Sequence, residues 1–427
     1  MESEHISDTK NEKGVLSLIP YASYFSCPPV TGGARHILKT LTALANSGKY
    51  LVSLLVPVTS PEKARQVTAY LKGAPGFRKV WGVECERECR GGSWERDTVP
   101  GGAVYLYCSS LYREALSRVL RENAFHIVLV ETSDMLWTVP LIRKIQPWAK
   151  IVLNLQNADS LLMRRMVENG GLTGRVREKY LMEYHKAIAW EKRFWPAVDY
   201  CLAVSSQEAL MFRSLAPGVP VEVVVAGGGV EEVASPAGFR PGIAPLDISF
   251  VGTMWYPNIH GILWFVESVF PEVVRNFPKT RLHVLGSGRP PANFIERLGE
   301  SGSVVFWGRQ EDERSILAST SVFIVPLFIG AGARIKIMTA WSLGIPVVST
   351  TIGAEGLDCE GGRDILIADT TEGFACCVMS LLKDPRLRKK LAAGGRAIVK
   401  KLYSETAAAE RVTVFFDMVS SSRKKHT

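Results

Sequence analysis

The stretch Ser321–Thr351, SVFIVPLFIGAGARIKIMTAWSLGIPVVSTT, decides the fold. Val322 to Val325 is a short β-branched run closed by Pro326 and reads as a strand. Gly330 and Gly332 let the backbone turn tightly and come close to a ligand. Ala333 to Leu343 is mostly apolar and of helical length, Gly344 ends it, and Ile345 to Ser349 reads as the next buried strand. A glycine loop that opens a helix behind a parallel strand presents unpaired N–H groups and a positive dipole end to an anion. Arg334 and Lys336 are placed in the first turn of that helix, where a cation opposes the dipole. An anion held by the same amides removes the conflict, so the stretch points to a diphosphate site.

The same alternation extends outward in both directions. At 427 residues the chain exceeds the size at which one core keeps growing, and two domains are expected. In the first, Gly14 to Pro20 reads as a strand, Gly32 and Gly33 open a helix to about Ala45, and Tyr50 to Val58 is a second strand. This βαβ unit lacks the spacing of a dinucleotide fingerprint. Lys72 to Gly102, rich in Gly, Arg and Glu, reads as an irregular insertion. Strands then follow at His126–Val130, Lys150–Leu155, Asp199–Val204 and Val221–Val225, with helices between them. Ala226 to Pro245 has the glycine and proline content of a linker. Alternation restarts with strands at Leu246–Val251, Arg281–Leu285 and Ser303–Trp307, passes through the opening stretch, and continues to a strand at Asp364–Ala368 and three helices.

Two such runs mean an α/β protein of two doubly wound, Rossmann-like domains, residues 1–228 and 229–404, with a last helix in 405–427 expected to pack back on the first. Ligands in these sheets sit beyond the carboxyl ends of the strands, and two facing domains would place those edges on one cleft. Both glycine loops follow strands and would line it.

Composition narrows the function classes. Hydrophobic residues make up 47% and charged residues 22%, ordinary for a soluble globular chain. No apolar run reaches the ~18 residues needed to span a bilayer, and polar Met1–Lys13 is not a signal peptide, so a cytoplasmic location is expected. A net charge of +9 permits attraction to anionic lipid. No zinc-finger, basic-zipper or RNA-recognition signature accompanies it, so nucleic acid is not expected as a partner. The basic tail Arg423–Lys425 reads as a frayed terminus.

Of the eight cysteines, Cys27, Cys108, Cys201, Cys376 and Cys377 lie in or beside apolar runs. Cys85 and Cys89 have no second pair or nearby histidine and read as a surface loop rather than a zinc site. No D-x-D motif stands at a strand end, so no metal is expected. On the helices of the first half, Arg164, Arg165, Glu183, Glu191, Lys192 and Arg193 read mostly as solvated faces. Trp190, Phe194 and Trp195 read as packing, and His36 and His185 as surface or satisfied core histidines.

The chain resembles the retaining family 4 glycosyltransferases of the GT-B fold, nearest their bacterial surface-polysaccharide branch. In the second half the resemblance runs through FVGTMWYPNIHGILWF (Phe250–Phe265), LHVLGSG (Leu282–Gly288), VVFWGR (Val304–Arg309), the opening stretch and GAEGL (Gly353–Leu357). In the first half it includes PPVTGGAR (Pro28–Arg35), LQNADS (Leu155–Ser160) and AVSSQE (Ala203–Glu208). No single motif is decisive; their order and spacing together are specific.

That resemblance implies a nucleoside-diphosphate sugar bound to the second domain, with no separate cofactor, and a glycan or lipid-linked acceptor on the first. Arg334 and Lys336 would hold the diphosphate beside the Gly330–Gly332 loop and stabilise the leaving group. Gly252 and Thr253 would form a second turn at the phosphates, Arg309 would meet the base, and Gly353 and Glu355 would approach the donor. His260 would stand near the phosphates, and Gly32, Gly33, Gln156 and Asn157 on the acceptor side. Basic and aromatic residues on that side would suit a lipid-linked acceptor at a membrane surface, at the inner face of the membrane.

The sequence departs from the family pattern at several positions. Two glutamates separated by seven residues, the second gripping the nucleotide ribose, are replaced by Ala331 and Thr339. His260 precedes Gly261 where many members keep a lysine, Gln156-Asn157 replaces a His-Asn pair, and Gly228–Glu231 reads GGVE in place of Asn-Gly-Val-Asp. With no carboxylate placed as a nucleophile, a front-face displacement follows: the departing phosphate takes the acceptor proton while Arg334, Lys336 and helix-end amides stabilise it. A sugar-nucleotide epimerase of the same architecture and a non-catalytic sugar-nucleotide binder remain as alternatives.

Overall fold

A computed structural model of the chain describes residues 12–19, 32–58, 60–71, 76–84, 110–225, 246–299, 302–310 and 313–422. Cys27, Pro28–Thr31, Cys85, Cys89, Cys108, the linker with Gly228–Glu231, and the tail Arg423–Lys425 lie outside the described residues. Two compact units emerge. One comprises Met1–Met163, Leu181–Gly227 and Ala408–Thr427, the other Arg164–Tyr180 and Gly228–Ala407.

The first unit is built on seven strands: β1 (Lys13–Leu18), β2 (Tyr50–Val58), β3 (Phe77–Glu84), β4 (Ile127–Val130), β5 (Lys150–Leu155), β6 (Tyr200–Ala203) and β7 (Val221–Val223). All pairings are parallel, in the order β3-β2-β1-β4-β5-β6-β7. Parallel strands covered on both faces need continuous apolar runs, and IVLV of β4 is buried throughout. Val15, Ile37, Leu54, Leu129, Val152 and Leu202 form the core, which the helix Glu405–Ser421 closes with Val412, Phe415, Phe416 and Val419. Tyr50 donates its hydroxyl to Asp417 at 2.9 Å, and Lys49 pairs with the same carboxylate at 2.6 Å.

The second unit carries β8 (Ile248–Val251), β9 (Leu282–Leu285), β10 (Val304–Gly308), β11 (Val322–Val325), β12 (Val347–Ser349) and β13 (Leu366–Ile367). They form one parallel sheet, β10-β9-β8-β11-β12-β13. Strand order reverses beside β1 in the first sheet and beside β8 in the second. Carboxyl ends at such switch points diverge and leave room for ligands.

The structure corrects several readings. β3 lies inside the stretch expected to be irregular. Its sequence FRKVWGVE is an edge strand with only Val83 buried, and the charges that obscure its pattern suit an unpaired edge. The helix Pro61–Leu71 is one the sequence reading leaves unassigned. The helix of the opening stretch is Ile335–Leu343, with Arg334 as its N-cap, so Arg334 precedes the first turn. Gly344, at φ 71°, ends it in the left-handed conformation, and the amides of Gly344 and Ile345 cap Trp341 and Ala340. Trp190, Phe194 and Trp195 pack inside, as does Glu191, which is not on a solvated face. No described helix is long and apolar enough to cross a membrane.

Candidate functional site

Fully buried β11 runs into Pro326 and the loop Leu327–Arg334 at the carboxyl edge of the second sheet. Gly332 sits at φ 78°, where a side chain would strain the backbone. Arg334 is 7% exposed, and its guanidinium is turned onto its own surroundings. Nη1 donates to the carbonyls of Ala331 at 2.6 Å and Gly332 at 3.3 Å. Nε and Nη2 donate to the Ile352 carbonyl at 3.3 and 3.1 Å. A Cβ on Gly330 would lie 2.7 Å from Nη2, so glycine there makes room for the guanidinium. These hydrogen bonds tie the Arg334 guanidinium to the loop and to the turn at Ile352.

Lys336 stands in the first turn of the helix Ile335–Leu343, and its ammonium points to the next strand end. Nζ lies 4.3 Å from the Phe250 ring centroid and donates to Asn258 Oδ1 at 2.9 Å. Asn258 in turn donates to the Thr253 carbonyl at 2.7 Å, which fixes the turn after β8. Gly252 lies directly beneath: a Cβ on it would be 2.8 Å from Lys336 Nζ and 2.7 Å from Asn258 Nδ2. Burial first, and the neighbouring Arg334 charge second, push the Lys336 ammonium down to about 7. A cation held between an aromatic face and an amide oxygen gains protonation when an anion arrives.

Glu355 makes an ion pair that the sequence does not suggest. Both its oxygens accept from Arg165, at 2.5 Å from Nη1 and 2.7 Å from Nη2, and Nη1 also donates to the Gly330 carbonyl at 2.5 Å. Arg165, read as part of a solvated face, therefore belongs to the cradle; its side chain is 11% exposed and that of Glu355 17%. Gly353 sits in the short helix Thr351–Ala354 capped by Thr350, whose hydroxyl accepts from the Gly353 amide at 2.9 Å. A Cβ there would collide with Ser349 and Val325, so this turn presses against the ends of β11 and β12.

The remaining donor-side residues are dispersed. Thr253 is exposed on the turn after β8, and Arg309 is exposed just past β10. Thr339 spends its hydroxyl on the Ile335 carbonyl of its own helix at 3.0 Å. His260 lies between the rings of Tyr256 and Phe328; its Nδ1 is buried without a hydrogen-bond partner, and burial holds its pKa below the usual histidine range.

The first unit carries a different polar cluster at the carboxyl edge of its sheet. Glu131, just past β4, accepts from Ser17 Oγ at 2.9 Å and from Asn154 Nδ2 at 2.7 Å. Asn154 Oδ1 lies 3.0 Å from His36 Nε2, which makes Nε2 the protonated nitrogen of a neutral ring. Burial drives Glu131 up to about 8 against the pull of both hydrogen bonds, and it drives His36 down to about 4. Beside this cluster, burial and the charge of Asp159 hold Asp134 well above the usual carboxylate range. Glu191 is raised to about 8 by burial although Ser160 donates to it through N and Oγ. Of the residues expected here, Gln156 is buried with Nε2 unpartnered, Asn157 is half-buried, and Gly32 and Gly33 begin the helix Gly32–Asn46.

Comparisons with known proteins bear on both units. Residues 245–384 match the family model described as Glycosyl transferases group 1. An uncharacterized 44.6 kDa protein of the cps region of Klebsiella pneumoniae is 26% identical over 37% of this chain and 42% of its own length. The lipopolysaccharide core biosynthesis glycosyltransferase LpsE of Rhizobium meliloti is 33% identical over 33% of this chain and 42% of its own. The chain thus aligns with less than half the length of these relatives. The solved sucrose-phosphate synthase of Thermosynechococcus elongatus superposes with a TM-score of 0.72 at 15% identity, covering 96% of this chain and 100% of that one. The fold is GT-B. Lys336 and the glycine loop lie within the stretch that matches the glycosyl transferases group 1 model.

Proposed function

We propose that the protein is a glycosyltransferase of the retaining family 4 type, moving a sugar from a nucleoside-diphosphate sugar to a glycan or lipid-linked acceptor in polysaccharide or glycoconjugate biosynthesis. The observation that carries this reading is Lys336: an ammonium aimed over Gly252, beside a glycine loop whose shape Arg334 maintains. A diphosphate placed there meets a point charge on one side and the positive end of the helix Ile335–Leu343 on the other. The similarity of this region to a lipopolysaccharide core glycosyltransferase supports a glycan acceptor.

In the reaction, the sugar–phosphate bond breaks as the acceptor hydroxyl approaches the same face. The departing phosphate oxygen takes the hydroxyl proton, and Lys336 stabilises the charge left on the nucleoside diphosphate. Arg334 contributes by keeping the loop fixed, which makes it a positioning residue in this scheme. Gln156 and Asn157, at the carboxyl end of β5, are assigned to the acceptor side. Contact with anionic lipid belongs to this reading as the route to a lipid-linked acceptor, and vesicle sedimentation at low salt tests it.

A second reading is favoured by one observation. Ala331 offers no carboxylate and Thr339 ties its hydroxyl to its own helix, and on this second reading the protein would bind sugar nucleotides without turnover. Incubation with a panel of nucleotide sugars separates the two: product or hydrolysis supports transfer, binding alone supports the second reading, epimerised donor supports an epimerase, and no binding to any sinks the scheme.

A further inference from the structure

Two arginines fasten the glycine loop to the turn that follows β12, and they do so from opposite ends. Arg334 links the Ala331 and Gly332 carbonyls to the Ile352 carbonyl. Arg165 links the Gly330 carbonyl to the Glu355 carboxylate, three positions beyond Ile352. Arg165 lies in the helix Asp159–Asn169, far from both partners in sequence. The fork of a guanidinium matches two carboxylate oxygens in one plane, which an ammonium cannot reproduce. With exposures of 11% and 17% the pair is shielded from the screening that makes exposed pairs nearly worthless. Breaking it from one side leaves a charge buried without its partner.

We propose that Arg165 is a positioning residue for donor binding: it grips Glu355 and Gly330 together, and the affinity of the Lys336 cradle for a diphosphate depends on that grip. The inference rests on the donor site described under the proposed function. Arg165 acts on the loop and does not touch the donor.

The test is titration calorimetry of the full chain with UDP, GDP, ADP and dTDP. The variants are Arg165→Ala, Arg165→Lys, Glu355→Gln and the double variant Arg165→Ala/Glu355→Gln. Arg165→Ala is expected to weaken the best-binding diphosphate about 10-fold, and Arg165→Lys to recover only part of that loss. The double variant is expected to bind no more weakly than Arg165→Ala alone, because the two residues act as one unit. A merely structural role would lower the melting temperature and leave the dissociation constant of the folded protein unmoved. Unchanged affinity in folded Arg165→Ala overturns the proposal, as do single losses that simply multiply in the double variant. If Arg165→Ala does not fold, Arg165→Lys and Glu355→Gln decide: wild-type affinity in both overturns it. If the wild-type chain binds none of the four diphosphates, the donor site itself is wrong and the clamp falls with it; binding by the wild type with unaffected variants removes the clamp alone.

Discussion

The two sheets end in buried polar clusters of opposite kinds. In the first unit, Ser17, Glu131, Asn154 and His36 satisfy one another through side chains, and burial favours the uncharged form of both titratable members. In the second unit, the guanidiniums of Arg334 and Arg165 donate to backbone carbonyls and to Glu355. Lys336 stands between these regimes, against an amide oxygen and an aromatic face, with a pKa lowered to about 7. A neutral cluster holds a scaffold still. A cluster with one cation of adjustable charge is suited to an arriving anion. The contrast is one of desolvation: burial pushes Glu131 and His36, bridged by Asn154, toward their neutral forms, while the guanidiniums of the second unit spend their donors on carbonyls and a carboxylate.

The contrast breaks first at Lys336. Lys336→Met removes the ammonium and keeps most of the stem, and it should weaken nucleoside-diphosphate binding about 100-fold, the scale of a lost charge-assisted contact. In the wild type, affinity should fall as pH rises through about 7, because the amine loses the proton that attracts the phosphate. Lys336→Arg, protonated at every accessible pH, should flatten that profile. Calorimetry between pH 6 and 8.5 checks both, and a flat wild-type profile would show the ammonium to be ordinary.

Arg334 sharpens the same side of the comparison. Arg334→Met leaves the carbonyls of Ala331, Gly332 and Ile352 without their guanidinium donors and should destabilise the second unit by about 2 kcal/mol. The measurement is denaturant unfolding followed by hydrogen exchange across residues 326–356. A loss of affinity with no loss of protection would instead make Arg334 a direct ligand.

These two residues mark the limit of what the sequence discloses. Both sheets, the glycine loop and the stop at Gly344 are legible because β-branched runs, paired glycines and helical spacing are local signals. β3 escaped because an edge strand tolerates the charges that disguise its alternation. Arg165 escaped for a different reason: it lies 190 positions from Glu355, and an arginine on a helix carries no local mark of the carboxylate it will meet. Glu131 likewise finds Ser17 across 114 positions. Lys336 is legible as a residue of the first helical turn, but its placement over Phe250 depends on how β8 and β11 pair.

On the neutral side, pH is the lever. Glu131 and Glu191 have folded pKa values near 8 against 4.5 unperturbed, so the unfolded chain releases these protons first as pH rises. Stability is full below pH 4.5 on their account and declines up to about 8. His36 acts in the other direction, losing stability as pH falls from 6.5 to about 4. Between pH 6.5 and 8 only the raised carboxylates among these three titrate differently, each contributing at most about 1.4 kcal/mol per pH unit. Glu131→Gln should therefore remove at most about 1.4 kcal/mol per pH unit of the fall in unfolding free energy over that interval. Gln keeps one oxygen for Asn154 and offers an amide to Ser17. A slope equal to that of the wild type would mean that Glu131 is ionised in the folded protein.

The smallest effect separates hydrogen bonding from desolvation within that cluster. Ser17 donates to Glu131 and so favours the carboxylate, opposing the burial that raises it. Ser17→Ala should cost about 1 kcal/mol at pH 7 and move the Glu131 titration further upward. The pH window of declining stability then extends beyond 8, although the variant removes no titrating group. Chemical denaturation of Ser17→Ala at pH 6 and pH 9 measures the shift. If the window moves downward instead, the Ser17 hydroxyl is accepting a proton from a neutral Glu131, and the cluster is held together by the carboxylic acid as donor.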